Sequence, residues 1–410
     1  MTFNLRGWSV SVKAQLCYNK TMSEAEGPTL LTELVYLSIK DVGKAIDVKK
    51  LESPVLYARL AGKKMGSPLP LRKDTPTSLA LPQPIWFAFE DVEAEGLGRV
   101  YPSAKVYNDG AVTILLRGKG RFTLDELGPL SHSPLIKSQG YVYSFEDFAN
   151  RLFGRLLDAI GDAIIDPTER STLQEEHYLA YCFLDYPEPP TQFIEHNRQQ
   201  CASLLIGEIA EDALHESQIQ AALAQPFSYR PDDLAIFDMD HCLIFDHHQD
   251  YEDILLIMEH ANYRLLELRA LDRLLDVRLD EAERDLTVYG IEKNKKSSGR
   301  IKLRGRTPQR KFARIQALRF EALFILENLE NSSKIIGDYF LGQIYTRLCE
   351  IFNTEGWSRS VERRLDVLSS VYEMVKTDSA ERRTLVLEIV FIIVCIVLPL
   401  LQIWQALILK

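Results

Sequence analysis

The spacing of apolar residues changes twice along the 410-residue chain. Near the start, Trp8, Val10, Val12, Ala14, Leu16 and Tyr18 alternate with mostly polar residues. A period of two places one set of side chains on a single face, so a first strand is expected there. "SAKVYNDGAVTILLRG", 103–118, predicts a hairpin, because two β-rich runs flank Asn108-Asp109-Gly110. The stretch 67–84 holds five prolines and reads as a loop. From 144 the period turns helical: "SFEDFANRLFGRLLDAIGDAII" opens with Ser144 three residues before Asp147, close to a capping box. A strand is expected near "EEHYLAYCFLDY", and "PPTQFIEHNRQQCASLLIGEIAEDAL" reads as a helix with prolines at its start. Strands and helices thus mix over an α+β head, with a β-rich part at 1–143 and an α/β continuation at 144–250.

Beyond 250, Ile254, Met258, Ala261, Leu265, Leu268, Leu275, Leu279, Ala282 and Leu286 follow steps of four and three. Asp272 is the polar break in this seam. Two further runs, Ile315 to Leu329 and Val361 to Val375, repeat the pattern. The expectation is a long antiparallel, coiled-coil-like helical stalk over 251–383. Such a seam suits partners inside the chain or between copies, so a homo-oligomer is expected as readily as a closed bundle.

The end of the chain differs again. "IVFIIVCIVLPLLQIWQALIL", 389–409, is 21 residues without a charge. As a helix it would be about 31 Å long, enough for a hydrocarbon core. One C-terminal transmembrane helix is expected within 384–410. Lys376, Arg382 and Arg383 precede it, and by the positive-inside rule they keep the N-terminal domain cytoplasmic. The expectation is a tail-anchored membrane protein with a single-pass C-terminal anchor. Its place would be a bacterial inner membrane, or an organelle inner membrane in a eukaryote.

Composition narrows the classes. The net charge of −10 argues against a nucleic-acid-binding surface over the whole molecule. Six cysteines without a CxxC pair give neither a disulfide framework nor a zinc site, and suit reduced thiols. Arg6, Lys13 and Lys20 precede the first acid, Glu24, as in a transit peptide, but the alternation over 8–18 favours a strand.

One segment opposes the acidic background. "KNKKSSGRIKLRGRTPQRK", 293–311, holds nine basic residues and no acid. They are Lys293, Lys295, Lys296, Arg300, Lys302, Arg304, Arg306, Arg310 and Lys311. Without them the chain would carry −19. A solvated loop is the bland reading. The functional one is a contact for RNA phosphates or anionic lipid headgroups. No aromatics interleave, which disfavours base stacking.

"LAIFDMDHCLIFD", 234–246, sets Asp238 and Asp240 one residue apart after an apolar run. A haloacid dehalogenase-like phosphatase keeps its nucleophile and general acid so spaced. Cys242 stands where that pattern has Thr or Val, and a doubly wound sheet would need strands where the heptads begin. Two short strands joined by a turn over 238–241 are the preferred reading. His241, Asp246, His247, His248 and Asp250 crowd together, but their spacing fits no known ligand pattern. Polar residues there read as caps and loop, with Asp250 a candidate N-cap. No metal, cofactor or catalytic residue is assigned.

"YEDILLIMEHANYRLLELRALDRLLD" (251–276) and "RRLDVLSSVYEMVKTDSAERRTLVLEIVFIIVCIVLPLL" (363–401) resemble the "required for meiotic nuclear division" family of membrane-anchored proteins and its uncharacterised bacterial branch. The likeness rests on Ala261, Asn262 and Leu265 to Arg269, on Arg364, Leu365 and Asp366, and on Leu387 and Glu388. It implies a non-enzymatic membrane scaffold or tether supporting the translation machinery. A subunit of an oligomeric membrane transporter or channel is the alternative, though the chain has one apolar span and no Gly-Met-Asn signature.

Overall fold

The computed structural model describes residues 28–51, 63–65, 84–130, 133, 135–168, 174–208, 214–295, 317, 319–320, 322–323 and 338–408. The strand and transit-peptide readings of 6–24, the loop at 67–83 and most of the run at 315–329 lie outside them. The described chain divides into two compact units, 1–270 with 329–355, and 271–328 with 356–410.

The first unit is built on a large sheet around β1 (Leu30–Asp41). β1 is buried along both faces, so its sequence LLTELVYLSIKD shows no clean alternation, with Thr32, Glu33, Ser38 and Lys40 buried among its apolar residues. It pairs antiparallel with β7 (Ala111–Phe122) and with β11 (Glu175–Asp185). Beyond β7 come β6 (Gly98–Val106), β5 (Val92–Ala94), β8 (Ile136–Ser138) and β9 (Tyr141–Tyr143). β4 (Ile85–Ala88) also joins β6, and β3 (Lys63–Met65) joins β4. On the other side β13 (His241–Asp246) runs parallel to β11, and β12 (Asp233–Phe237) closes the edge antiparallel to β13. β2 (Gly43–Ile46) and β10 (Ile164–Pro167) form a separate pair.

The helices α1 (Val48–Leu51), α2 (Leu124–Leu130), α3 (Phe145–Ile160), α4 (Pro190–His196), α5 (Arg198–Ile206) and α6 (Glu216–Ala222) complete this part. One face of the sheet buries Leu34, Tyr36, Leu116, Phe183 and Phe245 with Phe148 and Leu152 of α3 and Leu204 of α5. Ser144 caps α3 as its spacing predicts, accepting from the Asp147 N–H at 3.1 Å. The helix expected over 189–214 is broken at Asn197, whose side chain donates to the Phe193 carbonyl at 2.8 Å. That bond satisfies a helix-end carbonyl and lets the chain turn. α5 then stops at Gly207, in the left-handed region at φ +76°.

The opposite face is covered by the first part of α7 (Glu252–Lys295) and by α8 (Tyr339–Ile351). Cys242 Sγ lies 3.9 Å from Met258 Sδ, and Phe352 meets Tyr178 edge-on. Between 255 and 271 α7 is buried nearly all round, as a helix between a sheet and another helix must be.

In the second unit, Leu275 and Ala282 of α7 and Val361, Leu365 and Leu368 of α9 (Thr354–Ile408) are buried. Asp272, the break in the heptad seam, accepts from Arg364 Nε at 3.0 Å and from Ser360 Oγ at 3.3 Å. Its charge is therefore matched inside the packed seam.

The expected transmembrane anchor is corrected here. Among the described residues no helix is long and apolar enough to cross a membrane. The described residues from Ile389 onward form the end of α9. The stretch continues a charged 55-residue helix rather than forming a separate span. The tail-anchored membrane placement, the inner-membrane localisation and the transmembrane part of the fold class are withdrawn with it. Lys376, Arg382 and Arg383 lie along α9, and their membrane-flanking role loses its support.

Candidate functional site

The paired aspartates sit in a turn. β12 and β13 pair up to Phe237↔Cys242, leaving Asp238, Met239 and Asp240 between them. The Asp238 N–H donates to the His241 carbonyl at 2.9 Å, and its carboxylate accepts from the Met239 N–H at 2.9 Å. The Tyr178 hydroxyl, 2.8 Å from the Asp238 carbonyl and 2.9 Å from that of His241, clasps the turn from below. Burial raises both carboxyls above their ordinary range, which is adverse for an ionised nucleophile. β12 is an antiparallel edge strand, and Cys242 is a buried thiol pushed up by desolvation. Asp338 caps α8 by accepting from the Leu341 N–H at 2.9 Å.

The neighbouring His/Asp cluster is likewise occupied. Asp246 accepts from the N–H groups of His248 (2.7 Å) and Asp250 (2.6 Å). His247 bonds the Leu184 carbonyl at 3.0 Å with its ring 3.7 Å from that of Tyr186, and His248 faces Asp232 at 3.1 Å. Among the described residues no three His, Cys, Asp or Glu are placed to hold a metal ion.

The charged residues that the fold does bring together lie under α7. Glu33 of β1 is almost fully buried. It accepts from Arg117 Nε of β7 at 2.9 Å and from the Tyr251 hydroxyl. Burial pushes its carboxyl up, but the charge and hydrogen bond of Arg117 outweigh this and hold it low. Arg117 also reaches Glu252, at the start of α7, at 2.7 Å. On β6, Lys105 pairs with Glu259 of α7, with both side chains about 95% buried. Tyr107 donates to the same Glu259 at 2.8 Å, and Lys105 Nζ stands 4.3 Å from the centre of the Trp86 ring. Further along, Arg269 of α7 donates to both oxygens of Glu176 of β11 at 2.7 and 2.9 Å. Burial raises Glu176 to about 7, with Arg269 pulling the other way.

This arrangement does not suit turnover. Each of these carboxylates is spent on a cation, Glu33 on Arg117 of the adjacent strand and Glu259 and Glu176 on residues across the helix–sheet contact, and the sheet face there is covered by the helix. The geometry specifies where α7 docks. Sequence reasoning did not single out these residues. The available signal was a charge inside an apolar run: Glu33 in "LLTELVYL", Lys105 in "SAKVY" and Glu259 in "LIMEHAN".

Of the basic segment, Lys293 and Lys295 belong to the last turn of α7. Lys296, Arg300, Lys302, Arg304, Arg306, Arg310 and Lys311 lie outside the described residues.

Comparison with known proteins places this frame. A family model described as "Uncharacterized protein MJ0711, N-terminal domain" matches residues 32–252, from β1 to the first residue of α7. The uncharacterized protein MJ0711 of Methanocaldococcus jannaschii is 30% identical over 213 residues, 52% of this chain and 61% of that protein. The match therefore spans less than two thirds of the relative's length. No solved structure matches. The family model takes in the sheet and the clasped 238–241 turn but stops short of the basic segment. Because the match covers more than half of the 410 residues, the chain belongs to the family described as "Uncharacterized protein MJ0711, N-terminal domain".

Proposed function

We propose that the chain is a non-enzymatic scaffold whose basic segment, 293–311, holds a polyanion, with RNA phosphates the favoured ligand. The observation that carries this reading is charge placement. Nine positive charges without a negative one stand in 19 residues of a chain whose net charge is −10. Such a segment concentrates phosphate against the field of the remaining surface. The charges under α7 support the scaffold half, since they are consumed in holding the helix to the sheet. The resemblance to proteins that support the translation machinery points the same way.

Without interleaved aromatics, contact is through phosphates, so binding is salt-sensitive and weakly selective for sequence. Fluorescence anisotropy with a labelled single-stranded RNA tests this. If four to nine phosphates are neutralised, affinity falls roughly 50- to several-thousand-fold between 50 and 200 mM salt. Replacing all nine basic residues with Gln abolishes the low-salt binding. Binding that survives the replacement refutes the assignment.

A further inference from the structure

The last part of α9 changes character. Earlier in the helix, Val361, Leu365 and Leu368 are buried along one stripe within the second unit. From Leu385 to Val397, nine large apolar side chains are 44 to 69% exposed in the single chain. Six of the nine are consecutive, Ile389 to Val394. Successive residues stand about 100° apart on a helix, so these six point in every direction around it. A helix packed on one neighbour needs one apolar stripe, whereas a helix that is apolar all round is suited to burial on all sides. An uncovered apolar surface of this extent marks an interaction site.

We propose that 385–397 of α9 is a self-association site, where three or more copies of this chain bury the segment against one another. The inference does not rest on the polyanion reading.

Area, seam and charge select further copies as the occupant. At about 150–200 Å² for a whole residue of this size, the nine leave on the order of 800 Å² uncovered per copy. Each partner of a stable interface contributes about 800 Å². The four–three frame of Val361, Leu365 and Leu368 runs on along the helix to Ile389 and Ile393. Isoleucine at both kinds of seam position favours three or four strands over two. The exposure on every side agrees, because a single partner helix covers one stripe and leaves the rest in water. From Ile389 to Val397 the sequence holds no charged residue. The stretch therefore gives a charged partner nothing to pair with, and it complements itself.

Sedimentation equilibrium of the full chain, with and without phosphatidylcholine vesicles to which it could bind, reads this directly. The unaltered protein should show a defined mass of about three to four chains. Ile389→Gln together with Ile393→Gln should return it to a single chain while the circular-dichroism spectrum stays the same. Phe391→Ala with Ile392→Ala keeps a good helix former at each position and serves if the first variant folds poorly. It should weaken association by at least about tenfold. A single-chain mass for the unaltered protein overturns the proposal, as does a mass without a defined number of copies. Recovery of that single chain on the vesicles would give the segment to lipid instead. An assembly that neither pair of substitutions weakens also overturns it.

Discussion

Lys105→Met lowers the free energy of unfolding by about 3–5 kcal/mol, the usual cost of stripping one partner from a buried ion pair. Glu259 is only 3% exposed, and without Lys105 it keeps the Tyr107 hydroxyl as a neutral partner. Methionine preserves the chain length over Trp86, so the loss reports charge rather than volume. Adding Glu259→Gln to the same chain removes the stranded charge and recovers most of the stability. Urea unfolding of both single variants and the double variant measures the coupling. A cost under about 1 kcal/mol for Lys105→Met would place the pair in water, where such contacts are weak. The docking of α7 on β6 would then be wrong.

Gly110→Ala is expected to cost about 3–5 kcal/mol, among the larger single-site effects. Gly110 has φ +102°, and a Cβ there would lie 1.8 Å from the Gly43 carbonyl oxygen. Neither backbone can yield cheaply, because the Gly110 carbonyl is bonded to the Val42 N–H. Gly98→Ala is the control. Its φ is +66° but nothing lies within 4 Å of the added carbon, so only the left-handed penalty of about 1–2 kcal/mol applies. Thermal melts of the two variants should separate clearly. Equal shifts would mean that the β6–β7 turn does not meet β2 so closely.

Local signals were legible, and long-range ones were not. The 103–118 hairpin announced itself through Asn-Asp-Gly, and α3 through the Ser144 cap. The 234–246 stretch read as two strands and a turn, and that is its structure. β1 was harder to read, because a strand buried on both faces has no alternation to detect. The contacts that fix α7 join residues far apart in sequence, Glu33 and Tyr251 being 218 positions distant. No spacing rule reaches across that distance. The heptad seam from Ile254 was real as a helix, but it could not say that a sheet would cover its first half. The anchor shows the opposite failure: a 21-residue run without a charge was read as a span, and among the described residues no helix is long and apolar enough to cross a membrane.

The measurement closest to the central claim is a pull-down of the full-length protein, washed at low and then high salt, with bound protein and nucleic acid identified at each step. The account predicts RNA or ribosomal components held at low salt, released at high salt, and missing when the nine basic residues of 293–311 are replaced by Gln. RNA that stays bound after that replacement, or its absence from the unaltered chain at low salt, would contradict it.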